Sequence, residues 1–294
     1  IAQTPQYPVC GHGARAESSM INKVLVTGAT GFVGRQVVRV LSATGVQLRL
    51  VVRKGTTAVA DLPANGCEII TSENLFAESS QWWFEQCKSV DIVVHLAWYV
   101  EPGQYLQSSK NMDCLMGSLS LARGAVQAGV KRLIGVGSCL EYDLSAGVLG
   151  VDTPLKPMTP YAGAKVALYF GLEHWLPSHS VEFAWCRLFY LYGEGEDPRR
   201  LVPYLRSRLE KGESVELSSG HQVRDFLDVV DAGRMIGDVV LSDQTGPVNI
   251  CSGVPVTVRQ LAEQIADEYG RSDLLVFGAR GENIFEPPCV VGKK

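Results

Sequence analysis

None of the eight cysteines stands in a C-x-x-C pair, and none clusters with the five histidines. That spacing excludes a zinc ribbon and supplies no disulfide framework, so a reducing, cytoplasmic setting is expected and no metal site is. Long hydrophobic runs are missing too. The longest candidate, "DIVVHLAWYV", is interrupted by His95 and falls well short of the roughly 20 apolar residues a membrane helix needs. Nor is there a basic surplus: a net charge of −4 gives no general pull toward nucleic acid or an anionic membrane, so any anion must be recognised locally. Residues 1–19 carry no hydrophobic signal core and are set aside as a non-native or disordered extension ahead of Met20. Internal repeats and low-complexity tracts are absent.

From Met20 onward, short β-branched runs alternate with helical stretches: "KVLVT", "FVGRQVVRVLSAT", "QLRLVV", "DIVVHLA", "SLSLARGAVQAG", "RLIGVGS" and "VEFAWCRLF". Wholly apolar strands separated by amphipathic helices predict a parallel sheet covered on both faces, a doubly wound α/β Rossmann domain over residues 20–190. The alternation then loosens, and residues 191–294 read as a smaller α/β substrate-binding lobe, some of whose segments return to the first domain.

In "TGATGFVG", Gly28, Gly31 and Gly34 fall at the turn between the first strand and the first helix. Gly28 permits a tight reversal, Gly31 lets a pyrophosphate approach the backbone, and Gly34 lets the helix sit close to the sheet. A dinucleotide is therefore expected on this turn, with Thr30, Phe32 and Val33 among its contacts. An acid gripping the ribose of NAD would stand about 20 residues beyond the last glycine. "VVRKG" puts Arg53 and Lys54 there instead, which suits the 2′-phosphate of NADP; the plain alternative is two solvated cations at a strand end.

"TPYAGAK" offers Thr159 as a helix cap, Pro160 for the first turn, and Tyr161 and Lys165 four apart on one face. An ammonium near a phenol lowers its pKa, as a proton-transferring group requires. The pair gains weight from Ser138, which ends another predicted strand in "GVGSCLEYD" and offers a hydroxyl to the same substrate oxygen.

Taken together, TGATGFVG, Ser138 and Tyr161-x-x-x-Lys165 resemble the extended short-chain dehydrogenase/reductase family. "RDFLDVVD" at Arg224–Asp231 is similar to the segment by which its nucleotide-sugar branch holds the substrate diphosphate. "HLAWYVEP" and "SCLEYD" look most like a bacterial group of nucleotide-hexose 4-epimerases and 4-ketoreductases that includes CDP-abequose synthase-like enzymes. The resemblance implies Tyr161 as acid/base, Lys165 on the nicotinamide ribose, Ser138 on the C4 oxygen, Asn74 with Leu75 near the adenine, and Ala97 lining the cofactor channel. Trp98, Tyr99 and Glu101 would face the sugar, although packing between lobes equally explains the two aromatics, and Arg224 would take the diphosphate unless it serves as a surface ion-pair partner.

Three departures qualify that pattern. Ser138-Cys139-Leu140 stands where the 4,6-dehydratases have Thr-Asp-Glu, which argues against water elimination. Tyr190 replaces the asparagine that usually touches the diphosphate, and "PPCVVGKK" ends short of the usual last helix, so a truncated C-terminus is expected. A 4-ketoreductase consumes NADPH at each turnover, whereas a 4-epimerase keeps NAD. Arg53 and Lys54 favour an NADPH-dependent 4-ketoreductase of a nucleotide-linked 4-keto-deoxyhexose, serving surface-polysaccharide or deoxysugar synthesis. The NAD-dependent 4-epimerase and a non-catalytic NADP sensor are the alternatives. A homodimer is expected, with Leu115, Leu119, Val126, Val166 and Tyr169 as its apolar face or, alternatively, as ordinary core.

Overall fold

Alternation along single strands decides which helix layer each residue meets. In the computed structural model, which describes residues 21–62, 66–281 and 286–294, Val24 and Val26 on the first strand pack with Val37, Leu41 and Ile236, while Leu25 between them packs with Trp83, Leu121 and Leu168. Successive side chains of a strand point to opposite faces, so one short apolar run feeds two cores. The extension at residues 1–19 lies outside the described residues.

The chain runs through β1 (Lys23–Thr27), α1 (Phe32–Ser42), β2 (Gln47–Arg53), β3 (Cys67–Ser72), α2 (Ser80–Cys87), β4 (Ile92–His95), α3 (Lys110–Gln127), β5 (Arg132–Ser138), β6 (Val148–Leu149), α4 (Pro160–Trp175), β7 (Glu182–Leu188) and β8 (Tyr190–Tyr192). It continues through α5 (Leu201–Glu210), β9 (Val215–Leu217), β10 (Val223–Asp228), α6 (Val229–Leu241), β11 (Gly246–Ile250), β12 (Pro255–Thr257), α7 (Val258–Glu268), β13 (Leu275–Phe277) and β14 (Cys289–Gly292). Seven strands make one sheet in the order β11-β7-β5-β4-β1-β2-β3, every pairing parallel. Strand order reverses beside β1, which opens a crevice at the carboxyl ends of β1 and β4, the usual ligand position in such sheets.

Late segments complete this sheet. Helix α6, which the sequence pattern did not single out, lies on α1 because two of its residues are glycines. A Cβ on Gly233 would come within 2.5 Å of Gln36 Cβ, and one on Gly237 within 2.5 Å of Val40 Cγ1. Strand β11 then pairs with β7 at the sheet edge.

The second sheet has the order β12-β10-β14-β6, with β8 also on β10. Asp225, fully buried on β10, fastens it: its carboxylate accepts from Ser252 N at 2.7 Å, Gly253 N at 2.8 Å and Gly292 N at 3.0 Å. Hydrogen bonds to a buried carboxylate compensate its desolvation, so this one joins three chain segments. Since β7 ends in the first sheet and β8 begins in the second with only Phe189 between, Tyr190 is delivered to the junction of the two sheets.

Candidate active site

The glycine turn is shaped by close approach. Gly28 has φ +72°, and a Cβ there would lie 2.8 Å from Ala97 N; one on Gly34 would lie 1.9 Å from Gly28 O. Only glycine lets α1 start this close to the end of β4. Gly31 is the N-cap of α1, with no side-chain cap and no acid in the first turn. The first-turn amides are thus left for an external anion, and the residues present fit a dinucleotide pyrophosphate. Thr30 contributes its carbonyl to Arg35 Nη2 at 3.3 Å, while Phe32 and Val33 pack partly into the core beneath.

A cavity of about 880 Å³ opens beside this turn, lined by Phe32, Arg53, Asn74, Leu75, Trp98, Glu101 and Arg200 among others. Arg53 and Lys54, read as a pair from the sequence, part company here. The Arg53 side chain is exposed at the cavity wall with no hydrogen-bond or ion-pair partner among the described residues. Lys54 is paired with Glu73, Nζ to Oε1 2.9 Å, both side chains well exposed. Asn74 caps the short 3-10 turn Leu75–Ala77, its Oδ1 accepting from Phe76 N at 3.2 Å.

Tyr161 and Lys165 project from the first turns of α4, whose start is set by Thr159, Oγ1 accepting from Ala162 N at 3.2 Å, and by Pro160. Ser138 ends β5 opposite them. All three are buried. Burial is the largest influence on the Tyr161 phenol and pushes it above its ordinary range; Tyr105 and Glu141 act the same way, and the nearby Ser138 side chain opposes them. The phenol is therefore not lowered here as the Tyr-Lys spacing predicts. The reason is geometric: Lys165 gives its ammonium to Val136 O at 2.6 Å and to the Trp98 ring, 3.8 Å from its centre. Burial brings Lys165 down to about 7, with Glu141 and Cys114 pulling the other way.

Behind Ser138 stands a buried charge the sequence reading did not identify. Glu141 accepts from Ser138 N at 2.8 Å, Trp185 Nε1 at 3.0 Å and Arg187 Nε at 2.7 Å. Room for the indole comes from two glycines of β5: a Cβ on Gly135 or Gly137 would lie 2.4 or 2.3 Å from Trp185 atoms. Arg187 donates to Tyr142 Oη at 3.1 Å, and its guanidinium lies 4.7 Å from the centres of both the Tyr142 and Tyr169 rings. The loop bearing Ser138 is thus braced from below by a fully desolvated ion pair.

Other expected residues sort into two groups. Trp98 touches the catalytic pair, and its Nε1 donates to Asn111 Oδ1 at 2.9 Å. Glu101 lies apart and pairs with Arg199 at 2.8 Å, which also holds Asp197 at 2.7 Å. Tyr190 and Arg224 meet, the guanidinium 5.2 Å from the ring centre. Arg224 is not a surface cation. Only 1% of its side chain is exposed; Nη2 bonds Glu286 at 2.6 Å, Nη1 bonds Val223 O at 2.8 Å, and Nε is left without a partner. Tyr169 and Val166, offered for a dimer face, are buried, Tyr169 within the chain's own core. The described residues contain no cluster of His, Cys, Asp or Glu able to hold a metal ion, and no helix among them is long and apolar enough to cross a membrane.

A parallel sheet with its ligand crevice at the switch point, a glycine turn under an uncapped helix, and Ser, Tyr and Lys converging beside it define a dinucleotide-dependent oxidoreductase of the extended short-chain type. The chain belongs to the NAD dependent epimerase/dehydratase family, whose profile it matches over residues 24–251. It is similar to dTDP-6-deoxy-L-talose 4-dehydrogenase (NAD(+)) of Aggregatibacter actinomycetemcomitans, 25% identical over 84% of this chain and 90% of that protein. CDP-abequose synthase of Salmonella typhimurium is 26% identical over 71% of this chain and 68% of its own length. Among solved structures, the fold is shared with UDP-N-acetylglucosamine 4-epimerase of Methanobrevibacter ruminantium, with a TM-score of 0.82, 22% identity, and 92% and 89% of the two chains covered.

Proposed function

We propose that this protein is a cytoplasmic NADPH-dependent 4-ketoreductase acting on a nucleotide-linked 4-keto-deoxyhexose, in surface-polysaccharide or deoxysugar biosynthesis. The observation that carries the cofactor choice is Arg53, an exposed, unpartnered guanidinium on the cavity wall where an acid would select NAD. When bound, the dinucleotide supplies the hydride for C4. Tyr161 gives its phenolic proton to the C4 oxygen, and the Ser138 hydroxyl orients that oxygen. Lys165 holds the nicotinamide ribose, and Arg224, beside Tyr190, receives the diphosphate in exchange for its present partner Glu286. Cys139 and Leu140, neither an acid, stand where a dehydratase needs its acid and base, so the protein reduces without eliminating water.

A 4-epimerase retaining NAD is the second reading. It is favoured by the Lys54–Glu73 pair, which leaves one cation instead of two for a 2′-phosphate, and by the NAD(+) dependence in the name of the talose 4-dehydrogenase relative. A homodimer formed through α3 and α4 is part of the same proposal, supported by the exposed Met112, Met116 and Leu119 on α3 and Phe170 on α4.

Titration of the protein with NADPH and NADH, with and without Arg53→Ala, tests the cofactor. The ketoreductase reading expects preferential NADPH binding that weakens about tenfold or more in the variant. Tightly retained NAD, indifferent to Arg53, makes the epimerase the better reading, and near-normal turnover by Tyr161→Phe on the true substrate would refute the proton-transfer assignment.

A further inference from the structure

Tyr105 has no part in the roles given above, yet it touches the reacting tyrosine. It stands on the short 3-10 turn Tyr105–Gln107, and its ring meets that of Tyr161 edge-on, with centroids 4.9 Å apart and planes at 90°. The turn is fastened on both sides. Tyr105 N donates to Glu101 O at 3.0 Å, and the fully buried Asn111 donates Nδ2 to Tyr105 O at 2.6 Å and to Ser108 O at 2.9 Å. Because Oδ1 of the same amide holds Trp98, one asparagine sets both aromatics that bracket the catalytic pair: Trp98 against Lys165, Tyr105 against Tyr161.

The ring of Tyr105 is therefore fixed, while its hydroxyl has no hydrogen-bond partner among the described residues. Its surroundings are polar. Burial raises the Tyr105 phenol, with Arg200 lowering it and Cys139 raising it, and Tyr105 in turn acts on both Tyr161 and Tyr190. The ring that carries this hydroxyl packs directly against the Tyr161 ring. A phenol with a packed ring and an unspent hydroxyl binds a ligand oxygen at little entropic cost.

We infer that Tyr105 is a substrate-orienting residue: its hydroxyl hydrogen-bonds a hydroxyl of the hexose next to the reacting carbon, while its ring keeps the Tyr161 phenol turned toward Ser138. This rests on the nucleotide-sugar reading above. It assigns sugar recognition to the loop after β4, a segment separate from the diphosphate contacts at Tyr190 and Arg224.

The test compares wild type, Tyr105→Phe and Tyr105→Ala in NADPH affinity, in turnover on 4-keto-deoxyhexoses linked to UDP, dTDP, CDP and GDP, and in calorimetric binding of the nucleotide-hexoses in a Tyr161→Phe background. Tyr105→Phe keeps the ring contact and is expected to raise KM about tenfold, with kcat within about threefold and NADPH affinity unchanged. Tyr105→Ala is expected to lose about a further tenfold in kcat and to alter the pH profile, since Tyr161 is no longer held. In the Tyr161→Phe background, Tyr105→Phe should still weaken nucleotide-hexose binding about tenfold. An active wild type whose Tyr105→Phe variant keeps KM and binding would overturn the hydroxyl's role and leave the ketoreductase reading intact. A wild type that binds NADPH but neither binds nor reduces any of the four sugars would overturn both.

Discussion

The Lys165 ammonium is held between the carbonyl oxygen of Val136, at 2.6 Å, and the face of Trp98, 3.8 Å from the ring centre. Neither partner carries a formal charge, and the side chain is 4% exposed. Burial with neutral partners disfavours the ammonium, which is why Lys165 titrates near neutrality, at about 7.

That position has a consequence for stability. The folded value lies below the ordinary lysine value of 10.5, so between pH 7 and 10.5 the unfolded chain binds the proton more strongly and stability rises with pH across that window. Lys165→Met removes the group. In urea denaturation the variant should be more stable than wild type at pH 7, by on the order of a few kcal/mol, and lose most of that advantage by about pH 10, while turnover falls about a hundredfold or more.

His95 bounds the acid side. Its ring bridges Thr27 Oγ1 and Ser118 Oγ, 2.8 Å each, and burial followed by the nearby Lys165 charge lowers it to about 3. The unfolded chain takes up a proton near 6.5 and the folded chain does not, so stability is lost as pH falls from 6.5 toward 3. Replacing His95 with Gln should flatten this limb by about 1.4 kcal/mol per pH unit, read from denaturation midpoints at pH 6.5, 5.5 and 4.5.

The Glu141–Arg187 pair should behave as buried ion pairs do when one partner is removed. Glu141→Ala leaves Arg187 unpaired in a dry site and is expected to cost about 3–5 kcal/mol. Glu141→Leu with Arg187→Met is expected to recover most of that stability but not activity, because the Ser138 amide loses its acceptor. Denaturant midpoints and turnover of Glu141→Leu, Arg187→Met and the double variant separate the contributions.

Arg199 bridges the loop after β4, at Glu101, to the loop after β8, at Asp197, two carboxylates that both line the cavity. The contact is exposed, so Arg199→Ala should leave the denaturation midpoint essentially unchanged. Cofactor release should nevertheless quicken severalfold, and raising salt should speed release from wild type but not from the variant, as stopped-flow displacement would measure.

Local features were legible in the sequence because their physics is local. The glycine turn, the apolar strands and the cap at Thr159 each depend on neighbours within a few positions. Pairings across space were not. Nothing near Lys54 announces Glu73, which becomes its partner only when β2 and β3 lie side by side, and an isolated acid at position 141 looks ordinary until Arg187 and Trp185 arrive from a strand over forty residues later. Tyr105 was overlooked for the same reason, since its significance lies in contact with Tyr161. Helix α6 carries a plain apolar face, with Ala232, Ile236, Val239 and Val240 in the core, but its docking on α1 is a contact across space at Gly233 and Gly237.

The indole of Trp185 fills the space that side chains at positions 135 and 137 would otherwise take, and it returns a hydrogen bond to the glutamate beneath Ser138. Neither strand is free to change by itself. A lineage that enlarges residue 137 must shrink residue 185 and find a new donor for Glu141 in the same step, so β5 and β7 are inherited as a unit and new specificities are expected to arise in the loops above them.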